Sequence, residues 1–132
     1  MKKILTTLIL GLLWCNISFA DWEKILSEKS DIGNYTFYFD NNKIIKKNGY
    51  VYYWHLASFS SQHPERDYMS MLVYTQIDCK KLRGKDLKFS THSKKMAKGK
   101  ILSEHKPEDI WQDARPNSVR EYTYNIICNK AD

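Results

Sequence analysis

From Tyr35 to Ser103 apolar and polar residues alternate in short runs, and the period becomes helical only near the C-terminus. Two-residue alternation marks strands, because successive side chains point to opposite faces of a sheet. Residues 35–39 are aromatic and β-favouring, and Asp40-Asn41-Asn42 ends them as a turn. Residues 43–46 form a short strand around Ile44 and Ile45. Lys47-Asn48-Gly49 follows, and Asn-Gly is a strong hairpin signal because both central turn residues need positive φ. In residues 50–59, Tyr52, Trp54 and Leu56 share one face, while Val51, Tyr53, His55, Ala57 and Phe59 share the other. Apolar bulk on both faces predicts a central strand. A polar loop with His63-Pro64 leads into a strand over residues 68–79. Its Met71, Val73, Thr75, Ile77 and Cys79 oppose Leu72, Tyr74, Gln76 and Asp78. Residues 80–85 read as a basic connection, 87–93 as a strand, and 100–103 as a last short strand after a turn at Lys98-Gly99. Residues 104–116 are polar, with Ile110 and Trp111 expected to plug the core.

Ser118-Val119-Arg120-Glu121 is a capping box, with Ser118 as N-cap and Glu121 at the third helical position. Val119, Tyr122, Ile126 and Ile127 recur at helical spacing beyond it, and Cys128 closes the helix. Strands followed by one helix predict an α+β fold: a single antiparallel sheet of about six strands, with a C-terminal helix packed on one face. There is no internal repeat or linker, so residues 21–132 read as one domain.

The first twenty residues read as an address. Met1-Lys2-Lys3 is positive, residues 4–14 are largely apolar, and Ser18-Phe19-Ala20 offers a cleavage site, the three parts of a secretory signal peptide. The stretch falls short of the roughly 20 residues needed to cross a bilayer. Trp14 before Cys15 disfavours a lipoprotein signal, which wants a small residue there. Loss of Lys2 and Lys3 on cleavage takes the formal net charge from +6 down by two. No later segment is apolar enough to span a membrane, so the expected location is exported: periplasm, outer surface or secreted.

Cleavage also removes Cys15 and leaves Cys79 and Cys128. Export exposes thiols to oxidising conditions, and a spacing of 49 matches no zinc pattern. A structural disulfide is expected, pinning the helix onto the sheet; two buried free thiols are the other reading.

The sharpest charge feature is the segment 80–100. It contains Lys80, Lys81, Arg83, Lys85, Lys88, Lys94, Lys95, Lys98 and Lys100 against Asp86 alone. Such a run suits an anionic partner such as a polysaccharide. A solvated strand pair whose lysines guard a sheet edge is the favoured reading of the run. Nucleic acid is not expected, because only Phe89 interleaves with the basic run. The aromatic residues lie mostly in strands and read as core, leaving Tyr68 and His63 as loop contact candidates. His55 reads as a packed strand residue, and His63, His92 and His105 as loop or surface residues, with no metal spacing among them. His92, Glu104, His105 and Lys106 could be nominated for phosphoryl transfer, but no spacing makes them an acid–base pair. Nucleophile-elbow and phosphate-loop motifs are absent. The residues therefore predict neither enzyme nor cofactor.

One succession of residues is more specific than any motif alone. Asp21-Trp22 follows the exported start, then come the hairpin, Val51-x-x-Trp54, and Tyr68-x-Ser70 on a strand ending in Asp78-Cys79. A basic segment, Trp111, and a Pro116-Asn117-Ser118 helix ending in Cys128 complete it. This order resembles the surface-adhesin protein E-like domain family over essentially the whole mature chain. The resemblance implies a six-stranded antiparallel sheet, a helix tied to it by Cys79 and Cys128, and a surface protein binding host extracellular-matrix components. A periplasmic envelope accessory protein without adhesin activity is the alternative.

Overall fold

Asn48 and Gly49 take left-handed backbone, φ 55° and 81°, and close the expected hairpin. The two strands it joins belong to one antiparallel sheet in the computed structural model, which describes residues 20–132. The segment read as a signal peptide, with Cys15, falls in residues 1–19, outside the described residues. Eight strands are present among the described residues: β1 (Trp22–Glu28), β2 (Tyr35–Asp40), β3 (Ile45–Lys47), β4 (Tyr50–Phe59), β5 (Ser70–Asp78), β6 (Arg83–His92), β7 (Ile101–His105) and β8 (Gln112–Asp113). Helix α1 (Val119–Ala131) follows. The sheet order is β1-β2-β4-β5-β6-β7, with β3 beside β4 and β8 beside β6. The α+β architecture expected from the strand and helix patterns is therefore present.

Four local expectations differ from the structure. β1 was not anticipated: its Glu23, Lys24 and Glu28 obscure the alternation, yet it pairs with β2 from Trp22↔Asp40 to Glu28↔Tyr35. β6 starts at Arg83, inside the segment read as a connection. Ile110 is 51% exposed and plugs nothing. The helix is also turned from its expected face. Tyr122 is 53% exposed, while Thr123, Tyr124 and Ile127 are buried.

The helix orientation follows from two attachments. Cys79 and Cys128 are bonded, with their Cα atoms 6.0 Å apart, so the helix C-terminus is tied to the end of β5. Tyr124 lies directly on Gly84 of β6, where an added Cβ would come within 2.0 Å of the tyrosine oxygen. Only glycine leaves room for the ring there. At the other end Ser118 Oγ accepts from Glu121 N at 3.1 Å, and Glu121 Oε1 accepts from Asn117 N at 3.2 Å. The capping box thus forms, with the glutamate reaching one residue further back than the usual pattern.

The register divides the sheet into two faces. Phe39, Val51, Tyr53 and Ile77 pack with Ile25 against Tyr124 and Ile127 of the helix and make the core. Tyr52↔Gln76, Trp54↔Tyr74 and Leu56↔Leu72 occupy the opposite face, which the helix does not cover.

A second set of contacts orders the loops. Arg66 is buried with its guanidinium 3.7 Å above the Phe59 ring. It donates to the carbonyls of Ile32 (3.2 Å), Ser61 (2.7 Å) and Tyr68. Three neutral acceptors and a π-face compensate this buried cation, which no carboxylate pairs among the described residues.

Candidate binding surface

Isoleucine, valine and aromatic side chains on the helix side pack the core, whereas the other face leaves aromatic rings partly open. There β4 contributes Tyr50, Tyr52 and Trp54, and β5 contributes Tyr74 across the ladder. Trp54 and Tyr74 have ring centroids 4.6 Å apart, and Tyr52 and Tyr74 6.1 Å apart in a stacked arrangement. Trp111 joins them, its ring 5.5 Å from Tyr50. All five rings are half-buried, with part of each open to solvent. Burial, then the neighbouring Tyr52, raise the Tyr74 phenol above its ordinary pKa, so it stays neutral and donates at physiological pH. Trp111 was expected in the core; it packs instead on this outer surface.

The same face collects the cations of β6. Arg83 lies 4.8 Å and Lys85 4.6 Å from the Trp111 ring centroid, and Lys88 lies 5.9 Å from that of Tyr74. Each cation in the strand thus rests over an aromatic π-face. Arg83 also pairs with Asp78 at 3.3 Å, and Lys85 with Asp109 at 2.6 Å. The Lys85 hydrogen bond and charge hold the Asp109 carboxyl below its ordinary pKa.

The sequence run 80–100 is not one patch in space. Lys80 and Lys81 sit on the β5–β6 turn, and Lys94, Lys95 and Lys98 on the β6–β7 connection. The ten residues of β6 separate them by about 30 Å. Lys88 stands between, exposed at mid-strand. Lys80, Lys81, Lys88, Lys94, Lys95 and Lys98 form no ion pair among the described residues. The far group is held firmly. Ser70 Oγ donates to Lys94 O at 2.6 Å and accepts from Ala97 N at 2.9 Å, and Ser58 Oγ accepts from Met96 N at 3.1 Å. These bonds hold Met96 and Ala97 in left-handed backbone, φ 61° and 59°.

The remaining nominated residues do not converge. His92 is buried, contrary to its reading as a surface residue, and its Nε2 lies 2.9 Å from Ser90 Oγ. Burial lowers its pKa, against a smaller upward pull from Glu104. His105 pairs with Phe89 and lies against its ring at 4.7 Å. Phe89 and His92 are three residues apart on one strand, so the two histidines point to opposite faces of the sheet. Tyr68 packs against Phe59 at 5.8 Å, and the His63 ring caps Glu65 N at 3.2 Å, so both help build their loop.

The aromatic strip escaped the sequence reading because its members are distant in the chain. Alternation identifies which residues share a face but not which face the helix covers. Phe89 alone interleaves with the basic run in sequence, whereas in space rings from β4, β5 and the segment before β8 supply the interleaving.

Among the described residues no helix is long and apolar enough to cross a membrane. Comparison with known proteins accords with the geometry. No curated protein sequence matches the chain. Solved structures of Haemophilus influenzae protein E share the fold. Crystal form II aligns with a TM-score of 0.63 and 15% identity, covering 87% of this chain and 95% of that one. A second protein E structure gives 0.62 and 16%, covering 87% and 92%. Protein E from a non-typeable strain gives 0.59 and 11%, covering 86% and 79%. The family model for surface-adhesin protein E matches residues 22–129. The chain belongs to the surface-adhesin protein E family.

Proposed function

We propose that this protein is an exported, non-catalytic binding module that uses its uncovered sheet face to hold an anionic polysaccharide of the host extracellular matrix. Family membership supports the binding role, and the chemistry of the face supports the ligand class. The observation that carries the reading is the seating of Arg83, Lys85 and Lys88 over Trp111 and Tyr74. Aromatic rings offer rigid apolar area to the flat faces of sugar rings, and adjacent cations meet sulfate or carboxylate groups. Lys80 and Lys81 at one end of β6, and Lys94, Lys95 and Lys98 at the other, would extend contact along a long anionic chain. An acidic matrix protein would use the same groups.

The test is retention of the mature protein, residues 21–132, on immobilised heparan sulfate as salt is raised. Screening shortens from about 10 Å at 0.1 M to 3 Å at 1 M, so retention should fall steeply. Absence of retention at low salt, or retention indifferent to salt, refutes the polysaccharide reading. Protease shaving of intact cells, with a lysed-cell control, addresses location. Digestion without lysis supports a surface role, and protection until lysis supports the periplasmic alternative.

A further inference from the structure

Asp40, the last residue of β2, is 1% exposed. A buried carboxylate is unfavourable unless hydrogen bonds and a counter-charge compensate it. Hydrogen bonds are present. Asp40 Oδ1 accepts from Asn42 N, which it caps at the start of a short 3-10 turn, and from Asp21 N, each at 3.1 Å. Both donors are neutral amides. Among the described residues no cation pairs with Asp40.

One of these two donors is not an ordinary amide in the life of the chain. Asp21 N is the nitrogen that the expected export cut would free, because Ser18-Phe19-Ala20 places small residues at the first and third positions before the Ala20–Asp21 bond. Hydrolysis of that bond consumes one water. Ala20 leaves as a carboxylate, and Asp21 keeps the nitrogen, which takes the proton that the new carboxyl group gives up. An α-amino group titrates near 7.7–8.0, so at neutral pH it is largely an ammonium. Its position is already set. Asp21 O accepts from Asn41 N at 2.9 Å, and the next residue, Trp22, is the ladder partner of Asp40. The first rung of the β1–β2 ladder therefore holds the nitrogen against the buried carboxylate before and after the cut.

We infer that removal of residues 1–20 completes the fold: the new α-ammonium group of Asp21 becomes the counter-ion of buried Asp40. A charge-assisted hydrogen bond is roughly twice as strong as a neutral one, so the cut strengthens a contact without changing its geometry. The pair fastens the start of β1, an edge strand of the sheet, to the end of β2. The uncut chain, or any form with residues added before Asp21, lacks it. The inference rests on the export reading and is independent of the polysaccharide ligand.

The test has two parts. The full chain, residues 1–132, is produced in an exporting bacterial host, and the amino terminus of the product is read by mass spectrometry. It should begin at Asp21. A product beginning at any other residue overturns the inference. Urea unfolding at pH 7 then compares residues 21–132 with a free amine, the same chain with an acetylated amine, and residues 20–132. Acetylation removes the charge and restores an amide. The free-amine protein should have an unfolding equilibrium constant about tenfold smaller than the other two. The difference should persist in about 0.5 M salt, because a buried pair is screened little. In Asp40→Asn, which keeps a capping acceptor, the three forms should be equally stable. Equal stability of the free and acetylated wild-type proteins, or an undiminished difference between them in Asp40→Asn, would overturn the ion pair and leave the export reading standing. An uncut product would overturn both.

Discussion

His55 makes the stability of this domain depend on mild acid. Its ring lies 4.8 Å from Phe37 and 6.1 Å from Tyr53, under the first half of the helix. Burial, aided by the positive charge of Arg120, lowers its pKa from 6.5 to about 4. Between these values the unfolded chain binds a proton that the folded chain refuses, so stability rises with pH across that interval. The contribution is complete above pH 6.5 and is lost as pH falls toward 4. The full shift corresponds to about 3 kcal/mol, and the loss between pH 7 and pH 4.5 to about 2 kcal/mol. His92, whose pKa burial also lowers, acts in the same direction, and carboxylates contribute as well, so the comparison needs a variant. His55→Phe removes only this titration. Urea unfolding of both proteins at pH 7 and pH 4.5 gives the difference directly. Wild type should lose about 2 kcal/mol more than His55→Phe over the interval. Equal losses in the two proteins would refute the reasoning, whatever their absolute stabilities.

Two further predictions test the attachments of the helix. Replacing both Cys79 and Cys128 by alanine opens a 49-residue separation and should cost about 4 kcal/mol in the chain-entropy treatment, read as a lower urea midpoint. Gly84→Ala should destabilise by about 1–3 kcal/mol, because its Cβ would displace the Tyr124 ring. An unchanged midpoint in Gly84→Ala would mean that Tyr124 does not hold the helix on β6.

Much of the architecture was legible in local chemistry. Asn48-Gly49 specifies its turn by backbone preference, residues 50–59 declare a two-faced strand, and Ser118 with Glu121 begins the helix. The pairing of Cys79 with Cys128, expected from the anticipated export and from the family resemblance, is present. What was illegible depended on contacts between distant segments. β1 is held by the ladder with β2 rather than by its own pattern. Gly84 falls in the segment read as a connection, yet it lies in β6 and leaves room for Tyr124 from the far end of the chain. Tyr122 has the right spacing to face inward, yet the disulfide and the Tyr124 contact turn the helix away from it. The basic segment is compact as text but extended as a strand, so its lysines fall into separate groups.

Whether binding belongs to the uncovered face is decided by comparing variants on the two faces. Heparan sulfate binding would be measured by surface plasmon resonance for wild type, Trp54→Ala, Lys88→Gln and Lys130→Gln. Lys130 serves as the control, because it lies on the helix side beside Phe39 and Glu23. Trp54→Ala and Lys88→Gln should each weaken binding about tenfold, the equivalent of roughly 1.4 kcal/mol, while Lys130→Gln should leave it unchanged. Full binding by Trp54→Ala and Lys88→Gln, with loss in Lys130→Gln, would contradict that expectation and move the contact to the helix side.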